Sequence, residues 1–410
     1  MNPAEPKAKA LWRRRVINRY HAMSFVNQHK TILYTPPTCA SVDLSAIRHN
    51  FLTLLHLAHQ QMVAGHHKHM DLIAVIKADA YGHGMIEVAR VLDECGAKFF
   101  GVSNVQEGIA LREAGFKQRV LLFETTLPEL AAPIVDYDLT PTVCTSELAS
   151  SLNEYARALN KKIDVHVKVD TAMGRLGVVL HDAVKFIVQL KTLEHLNPEG
   201  IYTHFPSADT NEQLTVWQIK MFIDLLNDCY DKGISFDRVH AANSMGFLGS
   251  KNIFFNLARP GLMLYGLYPN DSAREMISLK PALSITSKII FLKNISKGQG
   301  VSYGQSFIAD RDMAVAVVPI GYNDGYCRAL SNKAHVLIDG ERCAVLGRVT
   351  MDQIIVDVSS VKLPCLGMAV VVLGESKDRN ITADDLARWA DTISYEITCN
   401  LGNRLPRVYS

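Results

Sequence analysis

The sequence predicts an α/β protein: a (β/α)8 TIM-like barrel followed by a mostly β C-terminal domain. Three observations carry this prediction. From residue 72 onward, short apolar runs alternate with segments whose apolar residues fall at three- and four-residue steps, the signature of βαβ units around a parallel sheet. There are eight such runs, the number that closes a barrel. After Gly266 the texture changes to strand-like runs punctuated by Gly, Asp-Gly and Pro.

The predicted barrel strands are Leu72–Lys77, Lys98–Ser103, Arg119–Glu124, Leu139–Cys144, Ile163–Asp170, Gly200–His204, Arg238–Asn243 and Leu262–Gly266. Helical spacing is clearest over Met85–Cys95, Ser146–Ala158, Asp182–Leu196 and Glu212–Cys229. The pattern alone leaves an open doubly wound sheet as the alternative. In the C-terminal part, Ile285–Leu292, Met313–Val318, His335–Ile338, Ala344–Leu346, Gln353–Val358 and Met368–Leu373 read as strands. Only Ile381–Ala390 reads as a helix there, with Thr382 as its N-cap ahead of Asp384 and Asp385. The chain therefore divides into a basic extension (residues 1–36, expected to be disordered), a barrel (37–274) and a β domain (275–410). Val42–Leu44, ahead of the barrel, is a candidate to pair with the β domain.

Composition narrows the function. With 48% hydrophobic and 20% charged residues in 410, the chain is globular with a sizeable core. No run approaches the 18 apolar residues of a membrane span. Residues 1–30 hold seven Lys or Arg against one acid, so the remainder carries a net −4. A mildly acidic body excludes a nucleic-acid-binding fold, which needs a basic face. Eight cysteines without a C-x-x-C pair indicate no disulfide framework, and no metal-ligand spacing stands out among the fifteen histidines. A cytoplasmic protein is expected.

Barrels of this kind place their chemistry at the carboxyl ends of the strands. Polar residues collect there: Lys77 closes the first run, Lys168 and Asp170 the fifth, His204 the sixth, Asn243 and Ser244 follow the seventh, and Arg259-Pro260-Gly261 enters the eighth. Lys77 is the most informative. An ammonium at a barrel mouth is desolvated, which lowers its pKa and frees a nucleophilic amine, as a Schiff base to an aldehyde cofactor requires. A solvated lysine at a strand end is the plainer alternative.

The run Ala74-Val75-Ile76-Lys77-Ala78-Asp79-Ala80-Tyr81-Gly82-His83-Gly84 resembles the pyridoxal-phosphate lysine motif of bacterial alanine racemases. Five further segments agree in the family's order: Lys168–Gly177, Tyr202–Phe205, Arg259–Gly261, Val301–Gly304 and Val349–Gln353. The resemblance spans roughly residues 37–410 and implies an enzyme that interconverts L- and D-alanine with pyridoxal 5'-phosphate, supplying D-alanine for peptidoglycan.

Carried over residue by residue, the resemblance makes Lys77 the cofactor's anchor and one catalytic base. Tyr303, from the partner subunit, is the other. Racemisation needs bases on opposite faces of a planar centre, and a phenol serves only where neighbours stabilise its anion. Arg259 would meet the pyridine nitrogen; as a donor-only, permanently charged group it would keep that nitrogen unprotonated. Tyr81 and Ser244 would hold the phosphate through their hydroxyls, Gly261 and Leu262 through backbone N–H groups, with Asn243 beside them. His204 would pack against the ring. Arg175 would bind the substrate carboxylate, and Lys168, often carbamylated in the family, would orient it; an unmodified Lys168 paired with Asp170 is the alternative. Met351 would touch substrate from the partner, and Tyr322 and Arg328 would line the entry. A head-to-tail homodimer with composite sites follows.

Three positions depart from the family pattern. Asp79 stands where Asn is usual, Ala172 where Gly is usual, and Asn403 where many members carry a Tyr that narrows the pocket. The last suggests relaxed specificity, with serine accepted alongside alanine. A broad-specificity or serine-preferring racemase, a decarboxylase, and a non-catalytic pyridoxal-phosphate carrier are the competing readings. A carrier resembling this barrel would lack the second domain.

Overall fold

The computed structural model describes residues 36–60, 70–249 and 255–410. The predicted basic extension, apart from Pro36, lies outside the described residues. Residues 37–410 form one compact unit.

Eight parallel strands close the barrel: Asp71–Val75, Phe99–Val102, Arg119–Leu122, Thr140–Val143, Ile163–Asp170, Leu196–Tyr202, Arg238–His240 and Leu257–Ala258. Closure is made where Leu257 and Ala258 pair with Asp71 and Leu72, and where Thr142 and Val143 pair with His166 and Val167. Strand Ile163–Asp170 shows how sequence becomes layers. Val165, Val167 and Val169 are completely buried on the face that meets the helices. The alternating positions Asp164, His166 and Lys168 point into the barrel, whose interior is therefore polar along one column.

The helices follow the amphipathic segments. Met85–Glu94 and Ser146–Ala158 lie where the spacing places them, and Glu212–Tyr230 extends one residue further than expected. Asn104, Thr145 and Asn211 each cap a helix by accepting a backbone N–H with the side chain.

Three barrel strands differ most from the sequence reading: the seventh stops at His240 rather than Asn243, and two others are displaced. The sixth is Leu196–Tyr202, so His204 stands two residues beyond it. The eighth is Leu257–Ala258, while the apolar run Leu262–Tyr265 is a buried 3-10 turn. A short apolar run has no period that separates strand from buried turn, and the two-residue strand is too brief to show any alternation. The shift matters for the site. Arg259-Pro260-Gly261 leaves the eighth strand at its carboxyl end rather than entering it.

The C-terminal part is built on two larger sheets and a short two-stranded one, Gly300–Val301 with Phe307–Ile308. One of the larger sheets runs in the order Glu341–Ala344, His335–Ile338, Ala369–Ser376, Leu283–Lys288, Cys39–Val42, Arg407–Tyr409. The predicted pairing of the segment ahead of the barrel is thus made, with Cys39–Val42 antiparallel to Leu283–Thr286 and parallel to the last strand. The other sheet holds Phe291–Ile295, Met313–Val318 and Ile354–Asp357. The single expected strand Ile285–Leu292 is two strands broken at Ile289-Ile290, and the strand expected at Ala344–Leu346 lies earlier, at Glu341–Ala344. Thr382 caps helix Ala383–Ala390 in a reciprocal box with Asp385. A second helix, Ser394–Cys399, has too few residues to declare a period, and it was not expected.

Candidate active site

A cavity of about 360 Å³ opens at the carboxyl ends of the barrel strands. Lys77, Tyr81, Lys168, Arg175, His204, Asn243, Ser244, Arg259, Gly261 and Leu262 all line it. Four of them are cationic types, and no carboxylate stands among the lining residues. The donor set suits a ligand that brings its own negative charge, such as a phosphate at one end and a carboxylate at the other.

Lys77 stands just past strand Asp71–Val75, and the backbone after it is unusual. Ala78, Asp79, Ala80 and Tyr81 all have φ between 52° and 54°, one turn of left-handed helix without a glycine. Each such residue costs about 1–2 kcal/mol, so the surroundings hold the turn in place. Glu107 Oε1 accepts the Ala78 N–H at 2.7 Å, and Asp79 Oδ1 accepts the Met85 N–H at 2.8 Å. The turn swings Tyr81 under the cavity, where its ring packs 5.0 Å from Tyr265 and 6.0 Å from Tyr395. Burial, with Arg175 nearby, lowers the pKa of the Lys77 amine from the ordinary lysine value.

The anion cradle lies at the far side. Ser244 opens helix Ser244–Gly249, and its Oγ accepts the Gly261 N–H at 3.1 Å. Tyr81 closes on the same glycine: a Cβ on Gly261 would stand 2.5 Å from Tyr81 Oη. Only a residue without a side chain allows the backbone and the phenol to approach one point together. Asn243 works on the frame, with its Oδ1 accepting the Gly246 N–H at 3.0 Å and its Nδ2 donating to Phe205 O at 3.4 Å.

Arg259 is 4% exposed. It donates to Thr203 O at 2.9 Å, Ala241 O at 2.8 Å, His240 Nδ1 at 2.6 Å and His204 Nδ1 at 3.2 Å. Because a guanidinium only donates, the tautomers follow. His240 Nδ1 accepts, so its Nε2 carries hydrogen and donates to His166 Nδ1 at 2.9 Å. All three imidazoles are neutral. Burial, reinforced by Arg259, takes His204 down to about 2 and His240 well below its usual value. Burial, with Arg119 and Arg238 next, takes His166 down to about 3. Burial brings Arg259 itself only to about 10, so it stays cationic. Tyr202 stacks on His240 at 4.6 Å and 9°, beneath Arg259 and Lys168.

Lys168 is 3% exposed, and its Nζ has no hydrogen-bond partner among the described residues. The pairing with Asp170 left open by the sequence is not made. Asp170 instead accepts the N–H groups of Ala172, Met173 and Gly174, organising the exposed loop that carries Arg175 to the cavity. Burial, then the charge of Arg259, pushes the Lys168 amine well below its ordinary pKa.

Tyr303, Tyr322 and Met351 do not reach this cavity. They are 71%, 43% and 51% exposed on adjoining loops of the β domain. Tyr322 N–H and Asn323 N–H donate to Thr350 O and Met351 O, and Ser302 Oγ donates to Arg348 O at 2.7 Å. Asn403 is also exposed and absent from the cavity wall. Its neighbour Arg404 binds Asp324 at 2.8 and 2.9 Å and Met351 O at 3.3 Å, which sets Asn403 beside the Tyr322 and Met351 loops. The wall positions are held instead by Tyr395 and Cys399. Sequence reasoning gave no role to these two, nor to Phe123 and Tyr202, which also line the cavity. Tyr202 had a signal, since it ends a barrel strand. Tyr395 and Cys399 return from the β domain on the unexpected short helix.

Comparison with known proteins agrees with this geometry. Residues 42–269 match the family model described as alanine racemase, N-terminal domain, and residues 282–409 match alanine racemase, C-terminal domain. The chain is 39% identical over 376 residues to an alanine racemase of Halothermothrix orenii, covering 92% of this chain and 97% of that one. It is 40% identical over 375 residues to an alanine racemase of Carboxydothermus hydrogenoformans, covering 91% and 99%. Among solved structures, an alanine racemase of Clostridium difficile 630 superposes with a TM-score of 0.85 at 34% identity, covering 92% and 96%. That of Bacillus anthracis with bound L-Ala-P gives 0.83 at 31%, with the same coverage. A closed parallel barrel, a strand-rich second domain and two family models that together span most of the chain lead to one conclusion: the protein belongs to the alanine racemase family.

Proposed function

We propose that the protein racemises alanine with pyridoxal 5'-phosphate held at Lys77, and that it completes its site with Tyr303 of a second copy. The observation that carries this reading is the split in the constellation. One chain gathers an amine and an anion cradle at the barrel mouth, yet leaves its candidate phenolic base 71% exposed on another surface.

The residues present suit the cofactor. Tyr81, Ser244 and the N–H groups of Gly261 and Leu262 would hold the phosphate, Lys77 the aldehyde carbon, Arg259 the pyridine nitrogen and His204 the ring face. When bound, the cofactor supplies an aldehyde that captures the substrate amine and a π-system that spreads the charge left as Cα loses its proton. The protein does the rest. Lys77, with its lowered pKa, takes or returns the Cα proton on one face, and the Tyr303 oxygen does so on the other. Arg259 offers the ring only donors, which keeps the nitrogen unprotonated and favours proton return over side reactions. Arg175 clamps the substrate carboxylate. Burial pushes the Lys168 amine well below its ordinary pKa, which favours the free base that adds carbon dioxide; the addition releases one proton to solvent and leaves a carbamate anion that would orient Arg175. Met351 and Tyr322 serve substrate contact and entry from the second copy. The product D-alanine suits a role in peptidoglycan supply, in a cytoplasmic enzyme that acts on a small amino acid as a homodimer.

Mixed dimers test the composite site. Lys77→Ala and Tyr303→Phe chains, each inactive alone, are expected to regain about one quarter of wild-type activity on equal mixing after dissociation, since half the dimers then hold one intact site. No recovery in a mixture shown to contain the heterodimer would refute the shared site.

A further inference from the structure

We infer that Arg407, three residues from the end of the chain, is a positioning residue for Lys77 and Tyr81 that acts by bracing the left-handed turn between them. The inference rests on the reading of those two residues as cofactor anchors. The turn comprises four consecutive non-glycine residues with positive φ, a conformation an unsupported L-chain leaves for the right-handed region. Glu107 secures its start from the barrel side, and Asp79 ties it to the helix that follows. Its exit is secured from the C-terminal segment.

There the Arg407 guanidinium donates Nε–H to Gly82 O at 3.2 Å. The same group donates to Gly402 O and Leu405 O at 2.8 Å and to Leu401 O at 3.0 Å. One planar fork thus joins the barrel turn to the C-terminal bend. Contact at Gly82 and Gly84 is close enough to exclude a side chain: a Cβ on Gly82 would collide with Thr398 O, and one on Gly84 with the Tyr409 hydroxyl. The strand that carries Arg407 and Tyr409 is itself pinned, since Ala40 pairs with Arg407 and Val42 with Tyr409. The tie therefore runs from the β-sheet, through Arg407, to the Gly82 carbonyl at the exit of the turn. Arg407 does not line the cavity, so it acts through the turn.

Arg407→Lys keeps the charge but offers a single nitrogen, which cannot span both groups of carbonyls. In the full-length protein, hydrogen–deuterium exchange of the peptide covering residues 78–84 is expected to quicken about tenfold, the equivalent of one lost hydrogen bond. Affinity for pyridoxal phosphate, titrated by its visible absorbance, is expected to fall by a similar factor. The kcat for alanine should drop while KM stays within about twofold, because Arg175 and its loop are untouched. Adding Ala78→Gly, which removes the conformational cost at one exposed position of the turn, should restore much of the exchange protection and the affinity.

Unchanged exchange at residues 78–84 overturns the assignment. So does faster exchange with wild-type cofactor affinity, or failure of Ala78→Gly to rescue either property. A role confined to overall folding would lower Tm and leave the folded fraction with wild-type exchange and affinity, which also overturns it. Wild-type protein that takes up no pyridoxal phosphate on Lys77 would instead refute the functional reading, while the exchange comparison still judges the brace.

Discussion

Gly261→Ala is a one-methyl perturbation whose consequence can be worked from the structure. The backbone of Gly261 has φ −117°, so an alanine is not barred by the left-handed region. The obstacle is space. The new Cβ would stand 2.5 Å from Tyr81 Oη and 3.1 Å from Cζ, and ordinary contact requires the phenol to retreat by about 1 Å. Tyr265 and Tyr395 flank the Tyr81 ring, so the retreat carries the hydroxyl away from the anion cradle. A hydrogen bond lengthened by that amount is lost. One bond to a charged acceptor contributes about 1.5–3 kcal/mol, so affinity for pyridoxal phosphate should fall roughly 10- to 150-fold. Titration of cofactor into stripped protein, followed by absorbance, measures this directly. Tyr81→Phe alone should give a similar loss, and the double variant should lose little beyond either single one, because both act on the same bond. Wild-type affinity in Gly261→Ala, or full additivity in the double variant, would refute the cradle as drawn.

Other predictions follow from the same geometry. Burial takes His83, His166 and His204 down to about 4, 3 and 2, so the folded protein keeps them neutral where the unfolded chain, with histidines near 6.5, takes up protons. Their contribution is complete above pH 6.5 and is lost as pH falls toward 4, at roughly 4 kcal/mol per pH unit for the three together. Urea unfolding at stepped pH checks it, and uptake of less than one proton in that window would contradict it. Carbamylation of Lys168 should appear in native mass spectra as a carbon dioxide adduct that is lost on acidification and abolished by Lys168→Ala. That variant should raise KM for alanine more than it weakens cofactor binding. Because Asn403 stands off the cavity wall, Asn403→Tyr should leave the alanine-to-serine ratio of kcat/KM unchanged; a raised ratio would show that it reaches the substrate from the second copy.

The barrel's repeat of apolar run and helix was legible because both periods come from local geometry that every βαβ unit must repeat. The chemical residues were legible for a related reason. Strand ends gather at one mouth, so Lys77, Lys168 and His204 could be expected together before any coordinates, whereas Arg259, read as entering the eighth strand, was joined to them only by the family resemblance. What the periods could not supply was length at the ends of elements. The eighth strand was displaced onto Leu262–Tyr265, where a continuous apolar run is equally at home in a buried turn. Helix Ser394–Cys399 passed unseen, and with it the Tyr395 and Cys399 walls of the cavity.

Sequence by itself therefore determined the fold class and several of the polar residues that line the barrel mouth, because these depend on residue type, on motif and on periodicity along a strand or helix. Tertiary structure alone decided three things. It set four L-residues into a left-handed turn after Lys77 and pressed Tyr81 against Gly261. It left the Lys168 amine without a hydrogen-bond partner among the described residues while Asp170 organised its own loop. It also brought the strand Arg407–Tyr409 against the left-handed turn after Lys77. Each is a contact between segments distant in sequence or a strained conformation that such contacts maintain. No local pattern of residues records the neighbours that make it.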